Sequence, residues 1–290
     1  MTTTVRHVET DDGASIHYHV HGEGPPLVFL MGFGLDHQGW WMQTPRFRRQ
    51  FRCVLIDNRG VGRSTLGWEP VSMARMAADV IAVLDQEGID RAHVVAISMG
   101  GMMALHLALN APERIDRLVL CATTAGLGNH GPLVSEQIMR AMGFDDGETA
   151  RITSGEAGFD ARFNRLEFAR LMGSFVFSES FLASSGPMLS QIMGMFVERF
   201  AKNEVLHAQY VAILGHEVHA RLGDIRVPTL VYVGDADRLV PPEHSHALVT
   251  GIPGARLLEM RDGSHAYNVE RGSEFNETVI GFLTEAAVRT

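Results

Sequence analysis

The apolar positions of the chain fall into two successive patterns. Val5–Thr10 and Ser15–His21 alternate apolar and polar residues on either side of Asp11-Asp12-Gly13, which predicts an antiparallel hairpin. After Gly24-Pro25-Pro26 the alternation gives way to continuous apolar runs at Leu27–Leu30, Cys53–Ile56, His93–Ile97, Ile115–Cys121 and Thr229–Val233, followed by Ala255–Glu259. A strand covered on both faces must be apolar on both, so such runs separated by helices predict a mostly parallel sheet with helices on each side. The intervening segments carry the helical signals. Trp40–Gln50 reads as a helix, and Ser72 is placed to N-cap a second in which Met73, Met76, Ala77, Val80 and Leu84 share a face. Further helices are expected after Ile97 to about Asn110, near Glu243–Thr250, and from about Ser273.

Between Thr124 and His216 the rhythm stops, and short helices broken by Gly, Ser and Pro are expected instead. Nine of the chain's fifteen Phe lie here, at positions 144, 159, 163, 168, 175, 177, 181, 196 and 200. That enrichment suits a lid with an apolar underside, some of whose rings line a ligand cavity. The predicted organisation is a core of residues 1–124 and 216–290 with a helical cap inserted at 125–215.

Composition narrows the chemistry. The chain has 290 residues, enough for one large domain with an insertion. Its net charge of −9 and the lack of a long basic run argue against nucleic acid or an anionic membrane as partner, leaving a small molecule. Lys202 is the single lysine, and no glycine-rich strand-to-helix turn surrounds it, which sets aside Walker-type phosphate loops and lysine Schiff-base enzymes. Cys53 and Cys121 sit in apolar runs and read as buried thiols. The polar first residues lack the apolar stretch of a secretory signal, so a cytoplasmic location is expected. Ala92–Pro112 contains no Asp, Glu, Lys or Arg, yet it breaks at Ser98-Met-Gly-Gly101, as a buried strand and helix would and a membrane span would not.

That break is the most informative stretch. A β-branched run ends at Ser98, bracketed by Ala96 and Gly100, and a helix follows. A nucleophile on a strained strand-to-helix turn needs small neighbours two residues to either side, and the free N–H groups at the helix start point back at it. The Met99 N–H is placed to stabilise an oxyanion there.

The chain here resembles the α/β-hydrolase family, whose elbow is usually Gly-x-Ser-x-Gly. Met31-Gly-Phe-Gly34 looks like that family's oxyanion loop, with Met31 where a His is usual. Asp57-Asn-Arg-Gly-Val-Gly-Arg-Ser64 resembles its Asp-x-Arg-Gly-x-Gly-x-Ser loop. By this resemblance Phe33 supplies the second oxyanion N–H, and the fold is an eight-stranded, mostly parallel sheet with helices on both faces and an inserted helical cap. His265, in the glycine turn Asp262-Gly-Ser-His265, follows the nucleophile and the acid in the order Ser, Asp, His. Gly234-Asp235-Ala-Asp237 offers two carboxylates after the strand ending at Val233, and the family's Gly-x-x-Asp-x-x-x-Pro spacing selects Asp237 as the acid that orients the imidazole.

The resemblance implies acyl transfer through Ser98 without metal or organic cofactor. The segments Asp224–Leu230, Val240–Glu243 and Ile252–Arg256 look like 3-oxoadipate enol-lactonase relatives and bacterial esterases, which favours ester or lactone substrates. Carbon–carbon bond hydrolases, cofactor-free haloperoxidases and a slow-turnover ligand receptor share the same residues and remain alternatives. His17, His19 and His21 lie on one strand face with no carboxylate or Cys at ligand spacing in sequence, and are read as a solvated face rather than a metal site. Asp36, His37 and Trp40 follow the oxyanion loop, where helix entry and core packing are as consistent with them as substrate contact.

Overall fold

A computed structural model describes residues 4–126 and 165–285. Its eight described strands are β1 (Thr4–Glu9), β2 (Ser15–His21), β3 (Pro26–Leu30), β4 (Arg52–Ile56), β5 (Ala92–Ile97), β6 (Ile115–Cys121), β7 (Thr229–Gly234) and β8 (Arg256–Met260). They form one sheet in the order β1-β2-β4-β3-β5-β6-β7-β8. The hairpin pairs antiparallel, β2 meets β4 antiparallel, and every later pairing is parallel.

Alternate strand residues point to opposite faces, so each continuous run feeds two cores. Val28, Leu30, Val94 and Ala96 pack against Met76, Val80 and Leu84 of the helix Met73–Gln86 and against Met102 and Leu105 of the helix Met99–Asn110. Leu27, Phe29, Val95 and Ile97 pack on the other face against Trp40, Phe47 and the helix Gly272–Thr284. The Ser72 hydroxyl accepts from the Arg75 N–H, so the expected N-cap forms. The helix expected over Trp40–Gln50 does not run through. A 3-10 turn, His37–Trp40, is followed by a separate short helix, Thr44–Phe47. Pro45 has no N–H to give Trp41 in a continuous helix, and the break lets Trp40 drop into the core 5.0 Å from the Phe29 ring.

Strand order reverses at β3, whose neighbours are β4 and β5. In open parallel sheets this reversal opens a crevice beyond the carboxyl ends of the strands. Met31–Gly34 leaves β3 there and Ser98 leaves β5. The loop after β4 is anchored by Arg59, which is fully buried between Asp12 at 2.6 Å and Asp79 at 2.7 Å. The Arg59 guanidinium, with the Thr10 hydroxyl, holds the Asp12 carboxyl well below the usual range.

Between β6 and β7 the described insertion contains helices Arg165–Val176, Glu179–Ser184, Gly186–Arg199 and Asn203–Leu214. Phe144, Phe159 and Phe163 lie outside the described residues, as do the side chains of Phe168 and Phe196. No helix among the described residues is long and apolar enough to cross a membrane.

Candidate active site

Ser98 sits between β5 and its helix with φ +56° and ψ −125°, a strained conformation for a residue with a Cβ. Packing enforces it. The Ser98 N–H is bonded to the Cys121 carbonyl at 2.9 Å, and its own carbonyl accepts the Thr123 hydroxyl at 2.7 Å. Gly100 is needed because a Cβ there would lie 2.3 Å from the Leu30 carbonyl oxygen, and at Gly101 it would meet the Thr123 side chain at 2.6 Å. The helix is thereby pressed against β3, and Ser98 is left half-buried at the floor of a cavity.

His265 and Asp237 come from two loops brought together by glycine. A Cβ on Gly234 would lie 2.2 Å from the Gly263 carbonyl oxygen, and the Ala236 N–H donates to that same oxygen at 2.9 Å. The acid loop therefore lies directly on the histidine loop. Asp237 Oδ2 is 2.8 Å from His265 Nδ1, and Asp237 Oδ1 accepts the N–H groups of Leu239 at 2.8 Å and Val240 at 2.9 Å. Asp237 is buried, whereas Asp235 is exposed. His265 is 7% exposed and lines the same cavity as Ser98.

Gly32 of the loop after β3 lies against the serine: a Cβ there would be 3.7 Å from Ser98 Oγ. Met99, first residue of its helix, and Phe33 find no acceptor for their N–H groups among the described residues. The neighbouring Gly34 is held at both ends. Its N–H donates to Gln209 Oε1 at 2.9 Å and its carbonyl accepts the Ala201 N–H at 2.9 Å. Gln209 Nε2 also reaches the Arg59 carbonyl at 3.4 Å, and Asn58 Nδ2 holds the Met31 carbonyl at 2.9 Å. Gln209 is completely buried. Sequence reasoning missed it, because a glutamine in a helix more than a hundred residues from the loop carries no local signal.

The cavity encloses about 900 Å³ of empty space, its open mouth included. Its walls are mostly apolar, with Phe33, Ile97, Val176, Phe177, Phe200 and Leu239 among them. Phe177 and Phe200, two of the nine Phe of the 124–216 stretch, thus line this cavity, while Phe181 stacks on Phe177 at 5.1 Å. Asp36 caps the 3-10 turn through the Gln38 N–H at 3.0 Å, as the helix-entry reading expects, and it also lines the cavity, where Arg199 reaches its Oδ2 at 3.2 Å.

A family model described as alpha/beta hydrolase fold matches residues 25–271. The protein RutD of Azorhizobium caulinodans, whose name proposes a carbamate hydrolase, is 29% identical over 272 residues, covering 94% of this chain and 96% of its own. The enol-lactonase from Burkholderia xenovorans LB400 superposes with a TM-score of 0.79 at 26% identity, covering 97% of this chain and 100% of its own. Est816, described as an N-acyl homoserine lactone degrading enzyme, gives a TM-score of 0.77 at 30% identity over 96% of this chain and 100% of its own.

Proposed function

The chain belongs to the α/β-hydrolase fold family, and on that premise we propose that it is a serine hydrolase cleaving a carboxylic ester or lactone through an acyl-enzyme. The observation that carries this reading is the His265 imidazole, fixed through Nδ1 by buried Asp237 and lining one apolar cavity with Ser98. In this reading His265 Nε2 takes the Ser98 proton as Oγ attacks the carbonyl carbon. The Met99 and Phe33 N–H groups hold the resulting oxyanion, and Asp237 stabilises the imidazolium. Collapse expels the alcohol, to which His265 returns the proton. Water, deprotonated by the same imidazole, then releases the acid and restores Ser98.

The apolar walls favour an apolar acyl or alcohol group. A carbamate carbonyl would be attacked by the same residues, and the name of the Azorhizobium relative makes it the second substrate class to try. Residues 125–215 act in this reading as a cap over the substrate, in a cytoplasmic enzyme working on a small molecule. The test is hydrolysis of p-nitrophenyl esters of increasing acyl length, with Ser98→Ala as control and a lactone and a carbamate alongside. Turnover lost in the variant supports the reading, and the optimal length reports the reach of the pocket. Turnover unchanged in Ser98→Ala, or absent for esters and lactones alike, would overturn it.

A further inference from the structure

We infer that His19, His37 and Asp57 form a binding site for a transition-metal dication such as Zn²⁺ or Ni²⁺, separate from the Ser98 cavity. The three residues come from β2, the start of the 3-10 turn and the end of β4, so no sequence spacing announces them. In the fold, one ring nitrogen of each histidine and one carboxylate oxygen of Asp57 lie within 4.8 Å of one another. The strand face read as solvated is covered here, because the His37 ring stacks on His19 at 3.7 Å. Asp57 supplies the carboxylate that the local sequence lacked.

The donor set selects the ion. Two imidazoles and one carboxylate suit zinc, nickel or copper, whereas calcium and magnesium require a cage of oxygens. Ligands at about 2.0–2.1 Å from a tetrahedral ion lie roughly 3.3 Å apart, so on binding the wider gaps, up to 4.8 Å, must close, the 2.6 Å His37–Asp57 contact must open and the two rings must turn out of their stack. The Asp57 side chain is 2% exposed and that of His37 15%, which gives a rigid carboxylate wall with an open side for water to complete the coordination.

His37 Nδ1 and Asp57 Oδ1 are 2.6 Å apart, and the His37 N–H donates to the same oxygen at 2.9 Å. An ion bound here ties the 3-10 turn to β2 and β4. The adjoining Asp36, Gln38 and Gly39 line the substrate cavity, so the ion braces that wall without touching the reacting atoms. Its expected effect is on stability.

Tag-free protein dialysed against chelator would be titrated with Zn²⁺ by calorimetry, with melting followed in parallel. One equivalent bound and a melting rise on the order of 5 °C at a hundredfold excess over Kd are expected. His19→Ala leaves the His37–Asp57 contact in place and should weaken binding at least tenfold, while retaining the ester turnover of the metal-free protein. His7→Ala, which alters the separate His7–His17 stack, should bind as the wild type does. Absence of binding at micromolar zinc, equal affinity in His19→Ala, or loss of binding in His7→Ala instead would overturn the assignment. Calcium binding at the same site with similar affinity would do so too.

Discussion

Asp237→Asn changes one atom and tests the role of the acid most sharply. Asp237 Oδ1 accepts two backbone N–H groups, from Leu239 at 2.8 Å and Val240 at 2.9 Å. The amide that replaces the carboxylate must keep its oxygen there, because the opposite orientation would set its NH₂ against two donors. Its nitrogen is then directed at His265 Nδ1, 2.8 Å from the present Oδ2. An NH₂ in that place donates, so Nδ1 becomes an acceptor and the imidazole proton moves to Nε2. The ring can no longer take the serine proton. A tautomer reversal of this kind costs about 10⁴ in kcat, equivalent to about 5 kcal/mol of transition-state stabilisation. The backbone contacts survive, so melting should stay near wild type. Asp237→Ala should instead lose both activity and stability, since the buried Val240 N–H loses its acceptor at about 1–3 kcal/mol and the half-buried Leu239 N–H loses the same partner. The assay is kcat/KM on a short-chain p-nitrophenyl ester with melting measured alongside. Activity of Asp237→Asn within tenfold of wild type, or an equal loss in Asp235→Asn, would refute the reasoning.

Three other perturbations have defined outcomes. Gly100→Ala places a Cβ 2.3 Å from the Leu30 carbonyl oxygen; the forced shift should cost about 1–3 kcal/mol in urea denaturation and move Ser98 from its floor position. Gln209→Leu leaves the Gly34 N–H without its acceptor, and kcat should fall by roughly ten- to a hundredfold with little change in KM, because the loop presenting the Phe33 N–H loosens. Burial pushes His216 down to about 4 from 6.5. Between those values the unfolded chain binds the proton that the folded chain refuses, so stability falls as pH drops through this window, by on the order of 3 kcal/mol in full. Urea midpoints of His216→Gln should therefore depend less on pH between 6.5 and 4 than those of the wild type.

How far the sequence reached can be judged from particular residues. β5, Ser98 and the following helix were readable because a continuous apolar run, a small-residue turn and a helix start are all local signals. His265 and Asp237 were picked out through the resemblance to the α/β-hydrolase family, by its chain order and its Gly-x-x-Asp-x-x-x-Pro pattern. Burial then gives the physical reason for Asp237 over Asp235. The break in the Trp40–Gln50 segment follows from Pro45, which lacks the N–H that a continuous helix would need there. Gln209, the Arg199–Asp36 contact and the His19–His37–Asp57 cluster were not readable, because each joins segments that only the sheet order and the insertion bring together. Polar residues facing one another across the fold leave no periodic trace.

The central claim is that Ser98 carries the acyl group. Its most direct test is intact-mass analysis with peptide mapping after treatment with a fluorophosphonate, with residual ester turnover measured on the same samples. The account predicts one adduct per chain, mapped to Ser98, with turnover falling in step with labelling and no adduct in Ser98→Ala. Turnover that persists in fully labelled protein, or an adduct mapped to another residue while Ser98 stays unmodified, would contradict it.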